Sequence, residues 1–240
     1  MTYIRNRITP TERFSIDHAD IPTDISTAYD GLLEIVRNDC KVWKGWKLGG
    51  SNHGTQAAFN VSKPYFGPLH ETEIMSSPKI APGLSLCQLQ GEVEISLRIS
   101  ADGEGYDAWC VSLEMPASAL KNLPAAGVEA LVADRCGAGA LVLGPTQDGP
   151  LPDMYGKLFS LWREGECLSE AGLDSLIASP GAILSEFLGL ARGLGFSPAP
   201  GDWVATGGIT SCCPFSDGDK ISVLMSDQLV LAFVAQRGSQ

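Results

Sequence analysis

Gly91-Glu92-Val93-Glu94-Ile95-Ser96-Leu97-Arg98-Ile99 reads as a β-strand with two unlike faces. Val93, Ile95, Leu97 and Ile99 alternate with Glu92, Glu94, Ser96 and Arg98, the period of two that sends successive side chains to opposite sides. Two carboxylates therefore share a face, with backbones about 7 Å apart. Outward from this segment, Trp109 to Glu114 repeats the pattern: Trp109, Val111 and Leu113 alternate with Cys110, Ser112 and Glu114, so Glu114 points away from the apolar side. Lys220 to Met225 and Gln228 to Val234 flank Ser226-Asp227 and read as a hairpin. A helix is expected from Thr23 to Arg37, where Ile25, Ala28, Tyr29, Leu32, Leu33 and Val36 keep helical spacing and Thr23 or Ser26 caps the start. A second begins at Ser179 as N-cap with Pro180 at the first helical position, carries Ile183, Phe187, Ala191 and Leu194 on one stripe, and stops at Gly195.

Strands thus dominate, with a few helices, in a mixed α/β, β-rich chain. Its 240 residues, 44% hydrophobic and 19% charged, supply one sizeable core or two small ones. A single domain over residues 1–240, with residues 1–40 as an N-terminal helical segment, is the expected organisation. The 17 basic and 28 acidic residues give a net charge of -11, which repels a phosphate backbone and argues against nucleic-acid binding. The longest apolar runs, such as Leu229 to Ala235, fall far short of the roughly 20 residues that span a bilayer, and Met1 to Pro10 has no apolar signal core. A soluble, cytoplasmic protein with no membrane partner is expected. Cys40, Cys87, Cys110, Cys136, Cys167, Cys212 and Cys213 show no Cys-x-x-Cys spacing and read as buried free thiols rather than disulfides or zinc ligands. Residues 1–20 and 145–155, rich in Pro, Gly and polar residues, are candidate mobile segments.

Glu92 and Glu94 on one face need either water or a cation, because like charges held together repel. Adding Glu114 from a neighbouring strand would complete an oxygen-only site suited to Mg²⁺ or Mn²⁺. The alternative is a solvated acidic sheet face. Lys47, within Trp46-Lys47-Leu48-Gly49-Gly50, is bounded by apolar residues and followed by glycines that permit close backbone approach. It is a candidate to pair with a substrate carboxylate or to move a proton; the alternative is an ordinary snorkelling lysine. His18, His53 and His70 have no metal-ligand spacing; His70 is singled out because Glu71 follows it, making the pair a candidate base. Gly201 to Thr210 reads as a strand running into a glycine turn whose N–H groups suit an anion.

Taken in order, these segments resemble the fumarylacetoacetate hydrolase superfamily, and within it the 2-keto-4-pentenoate hydratase branch. The resemblance covers about residues 25 to 235. It rests on Lys47-Leu48-Gly49, Pro64-Tyr65-Phe66-Gly67-Pro68-Leu69, Gly91-Glu92-Val93-Glu94-Ile95, Leu113-Glu114, Ala133-Asp134, Leu141-Val142-Leu143-Gly144 and Pro198 to Ile209. It implies a fumarylacetoacetate hydrolase-like fold with a β-roll around a helix, assembled as a homo-oligomer. It further implies that Glu92, Glu94 and Glu114 bind Mg²⁺ or Mn²⁺, that Lys47 is catalytic with His70 and Glu71 as further candidates, and that Phe66, Thr206, Gly207 and Gly208 contact substrate. Glu114 in the third position leans towards hydratase or decarboxylase members, since many hydrolase members carry Asp there.

Departures cluster in the pocket: Thr72 stands where Asp is usual, Arg135 where Asn is usual, and Ser179-Pro180-Gly181-Ala182 replaces His-Pro-x-Asn. The expectation is a metal-dependent lyase, a hydratase acting on a small 2-oxo or 2-hydroxy-dienoic acid in catabolism. The alternatives are a carbon–carbon hydrolase of an acylpyruvate-like diketone, a decarboxylase of a 2-oxo diacid, and a non-catalytic binding relative.

Overall fold

A computed structural model describes residues 13, 15–81, 88–121 and 123–236. Helix α1 (Ile25–Asn38) leads into β1 (Trp43–Gly49), helix α2 (His53–Phe59), β2 (Tyr65–His70) and the short strands β3 (Ile74–Ser76) and β4 (Ile80–Ala81). The long pair β5 (Gln90–Ile99) and β6 (Tyr106–Met115) follows, then helix α3 (Leu123–Ala133), β7 (Ala140–Leu143) and β8 (Gln147–Asp148). The remainder is β9 (Leu158–Arg163), β10 (Glu166–Gly172), helix α4 (Pro180–Gly193), β11 (Trp203–Ala205), β12 (Cys213–Pro214) and the hairpin β13 (Lys220–Met225) with β14 (Gln228–Ala235).

Among the described residues these strands form two sheets. The larger has the order β2-β1-β11-β5-β6-β7-β3, with β12 pairing β5 and β8 pairing β6; the smaller runs β10-β9-β13-β14-β4. The alternation seen in the sequence sets the faces. Val93, Ile95, Leu97 and Ile99 of β5 are buried in one core with Ile183, Leu184, Phe187, Leu188 and Ala191 of α4, so the helix packs on the apolar side of the larger sheet. An aromatic cluster closes that core: the Tyr29 and Phe66 rings stack at 4.7 Å, while Phe196 and Trp46 meet Phe66 edge-on at 5.1 and 5.8 Å. Tyr29 Oη accepts the Phe66 N–H at 2.9 Å, clipping α1 to β2. Rings buried this way each contribute about 2–3 kcal/mol of apolar transfer, and favourable pair geometry adds about 1 kcal/mol.

Helix α4 starts as the sequence predicts, with Ser179 Oγ accepting from Ala182 N. Helix α1 begins two residues later than expected, and its cap is Asp24, whose carboxylate accepts the Thr27 N–H at 2.8 Å. A carboxylate outcompetes the neighbouring hydroxyls there because it also complements the positive end of the helix dipole. The β13–β14 turn has Ser226 and Asp227 at φ of 48° and 66°, the left-handed pair that a two-residue hairpin with native twist demands.

Within residues 145–155, β8 pairs with β6 and Leu151 N donates to Tyr106 Oη. Residues 1–12 lie outside the described residues, as does Cys87. The expectation of buried cysteines holds only in part: Cys110 and Cys136 are buried, while Cys40, Cys167 and Cys212 are exposed. No helix among the described residues is long and apolar enough to cross a membrane.

Candidate metal centre

Strand register gathers the site. Lys47 pairs with Ala205 and Ala205 with Ser96, so Lys47 lies on the face of the larger sheet that carries Glu92, Glu94 and Ser96. Glu92 pairs directly with Glu114, and Glu94 with Ser112. Two strand spacings separate β1 from β5, roughly 10 Å, which the four-carbon lysine stem largely bridges.

Oxygens of Glu92, Glu94 and Glu114 lie within 4.8 Å of one another. Glu94 and Glu114 are fully buried and Glu92 half-buried, which overturns the solvated-face alternative. Lys47 Nζ lies 3.4 Å from Glu114 Oε2 and donates to the Cys136 carbonyl at 3.2 Å. Burial pushes all three carboxyls up; for Glu94 the neighbouring Glu92 and Glu114 push the same way, and Glu114 is raised to about 8. Burial alone would lower Lys47, but Glu114, Glu92 and Glu94 together hold it well above the usual lysine range, which favours the ammonium. Were all four groups ionised, three negative charges would face one positive. Glu94 Oε1 and both Glu114 oxygens have no hydrogen-bond partner. Orphaned, buried, oxygen-only and two charges in excess, this donor set fits one hard divalent cation.

The glycine turn after β11 serves the same cluster. Gly207 N donates to Glu94 Oε2 at 2.8 Å, so the anion that this N–H holds is the protein's own carboxylate. A β-carbon at Gly208 would overlap the Glu92 carboxylate, and one at Gly207, where φ is 115°, would overlap Ser51 Oγ. Asn52 Nδ2 ties the Gly208 carbonyl at 2.9 Å. Thr206 is buried with its hydroxyl donated to the Ile95 carbonyl at 2.9 Å, so it braces β5.

Three candidates lie elsewhere. Phe66 pairs with Leu48, on the face opposite Lys47, and its ring belongs to the aromatic core. His70 pairs with Trp43, four residues or about 13 Å along β1 from Lys47, and its ring stacks on Trp43 at 3.7 Å. Glu71 is exposed, and its N–H donates to the Val42 carbonyl. The structure therefore does not bring the His70-Glu71 pair to the carboxylates. Residues that the sequence reading passed over include Tyr65, whose ring lies against Gly49 and Gly50 and whose hydroxyl is held protonated mainly by burial. Ser51 Oγ is buried without a hydrogen-bond partner beside Gly207. The glycines after Lys47 were a legible signal for Tyr65, since a ring needs bare backbone to lie this close.

Comparison with protein-family models finds no match, and a search of curated proteins finds no relative. Solved structures do match. The 4-oxalocrotonate decarboxylase from Pseudomonas putida G7, complexed with calcium and acetate, superimposes with a TM-score of 0.84 at 20% identity, over 98% of this chain and 94% of that one. The chain has the fumarylacetoacetate hydrolase-like fold. Fumarylpyruvate hydrolase from Pseudomonas aeruginosa, in complex with Mn²⁺ and pyruvate, shares it more distantly, with a TM-score of 0.56 at 15% identity over 82% of this chain and 90% of that one. So does 2-hydroxyhepta-2,4-diene-1,7-dioate isomerase from Mycobacterium marinum, with a TM-score of 0.59 at 16% identity over 83% of this chain and 76% of that one.

Proposed function

We propose that this protein is a divalent-metal-dependent lyase acting on a small 2-oxo acid. The observation that carries the reading is the buried cluster of Glu92, Glu94 and Glu114 with the Lys47 ammonium against it. Those three carboxylates would hold Mg²⁺ or Mn²⁺, and solved relatives of this fold bound to magnesium with adipate, and to Mn²⁺ with pyruvate, support that choice. When bound, such an ion supplies Lewis-acid stabilisation of negative charge on a 2-oxo acid.

The chain's own residues do the rest. Lys47, against the carboxylates, donates a hydrogen bond and a positive charge to an oxygen of the substrate as charge develops there. Gly207 N–H holds Glu94 in place, and the bare Gly208 leaves room for the Glu92 carboxylate. The low-dielectric surroundings strengthen each of these contacts.

Within the lyases, the two readings are hydration of a 2-oxo or 2-hydroxy-dienoic acid, supported by the sequence resemblance, and decarboxylation of a 2-oxo diacid, supported by the similarity in fold to 4-oxalocrotonate decarboxylase. Hydrolysis is disfavoured by the position of His70 and Glu71, because a hydrolase needs a base that activates water beside the metal. Incubating metal-loaded protein with a panel of 2-oxo diacids and dienoates and analysing the products tests this. Carbon dioxide supports decarboxylation, a single hydrated product supports hydration, and two acids would overturn the lyase reading. No turnover of any panel member would favour a binding relative.

A further inference from the structure

We propose that Arg135 is a positioning residue: its ion pair with Glu73 locks the turn Arg135–Gly137 so that the Cys136 carbonyl holds the Lys47 ammonium in one orientation. The role in turnover rests on the function proposed above, whereas the positioning itself does not. Arg135, Cys136 and Gly137 have φ of 52°, 56° and 68°, three consecutive left-handed residues of which two carry a β-carbon. Such residues avoid this region, so something must hold them there.

The holding contacts are specific. Arg135 Nη2 donates to Glu73 Oε1 at 2.7 Å and to the Ala138 carbonyl at 3.2 Å, in surroundings that leave the two charged side chains only 10% and 17% exposed. The guanidinium carbon also stands 5.6 Å from the centre of the Trp43 ring. Glu73 is itself fixed, its other oxygen accepting the His70 N–H at 2.8 Å. On the far side of the turn, Cys136 Sγ donates to the Phe66 carbonyl at 2.8 Å.

Gly67 makes the arrangement possible. A β-carbon there would overlap the Arg135 carbonyl, and Gly67 is the register partner of Lys47. The turn thus packs on bare backbone beside the lysine it holds. An ammonium has three N–H donors. The Cys136 carbonyl takes one of them and Glu114 Oε2 stands 3.4 Å from the nitrogen, so these two contacts set the orientation of the ammonium and with it that of the remaining N–H. Arg135 is also a position at which the chain departs from the hydratase pattern.

The test uses the full chain with ¹⁵N-labelled lysine. A hydrogen-bonded, slowly exchanging ammonium should give a Lys47 signal, assigned by its loss in Lys47→Met. In Arg135→Met that signal should broaden or move, while Mn²⁺ affinity stays within about threefold of the parent because Arg135 touches no carboxylate of the cluster. Turnover should fall about 10- to 100-fold in kcat with KM changed less than about threefold, and Arg135→Lys should recover part of it. Glu73→Gln should behave like Arg135→Met, and it carries the test should that variant not fold. A folded variant with an unchanged Lys47 signal would overturn the proposal, and so would Mn²⁺ affinity lost in parallel with kcat. If the parent turns over no 2-oxo acid, the functional reading fails while the ammonium spectrum still decides the positioning.

Discussion

The Lys47 ammonium stands 3.4 Å from Glu114 Oε2 with both side chains almost wholly removed from water. One such pair would be an ordinary buried salt bridge. Here Glu92 and Glu94 share the space, so the pair is embedded in an excess of negative charge that burial makes costly. The metal-free protein relieves that cost by taking up protons, and a divalent cation would relieve it by neutralisation.

The first consequence is a pH dependence of stability. Burial raises Glu114 from 4.5 to about 8, so the folded state keeps a proton that the unfolded state has already released. Stability therefore falls as pH rises from 4.5 through about 8. Between pH 6.5 and about 8, above the ordinary histidine range, Tm of metal-free protein should decline, and saturating Mn²⁺ should remove the decline. Thermal melts with and without metal check it; a metal-free Tm rising over that interval would contradict the charge assignment.

Glu94→Gln separates metal binding from folding. The Glu94 carboxyl is pushed well above its ordinary value by burial and then by Glu92 and Glu114, and glutamine, an uncharged match to its shape, still accepts from Gly207 N. Metal-free stability should change by less than about 1 kcal/mol. Mn²⁺ affinity should fall about 100-fold, measured by calorimetry.

Gly208→Ala should act through Glu92, whose carboxylate a β-carbon would strike. The expected result is about 1–3 kcal/mol of lost stability together with at least about tenfold weaker Mn²⁺ binding. Gly189→Ala, on α4 with no atom near the added carbon, is the matched control. It should gain up to about 1 kcal/mol and leave metal affinity alone.

His70 gives a dependence of opposite sign. Burial and then Arg135 lower it from 6.5 to about 4, so between those values the unfolded chain binds a proton that the folded one refuses. Stability contributed by neutral His70 is complete above pH 6.5 and is lost as pH falls towards about 4. His70→Phe, which keeps a ring on Trp43, should flatten the acid limb of a plot of Tm against pH. An unchanged limb would show that other groups dominate it.

Much of this was legible in the sequence because strands advertise their faces. The alternation around Glu92 and Glu94 placed both carboxylates and the core correctly, and Ser179-Pro180 announced α4. What sequence could not carry was register between strands far apart in the chain. Glu114 opposite Glu92, and Lys47 linked to Ser96 through Ala205, follow from pairings that local pattern leaves free. Phe66 and His70 misled for the same reason: a one-residue step on β2 turns a ring into the core, and a four-residue step carries an imidazole out of reach. The left-handed turn at Arg135 and Cys136 had no signal, since neither residue favours that backbone and only tertiary contacts impose it.

The most direct measurement is a calorimetric titration of metal-free protein with Mg²⁺ and Mn²⁺, repeated with oxalate or pyruvate as a mimic of a 2-oxo acid. One divalent ion should bind per chain with release of protons from the glutamates, and the mimic should bind the metal-loaded form alone. Absence of metal binding in the folded protein, or equal binding of the mimic with and without metal, would contradict a metal centre built from Glu92, Glu94 and Glu114.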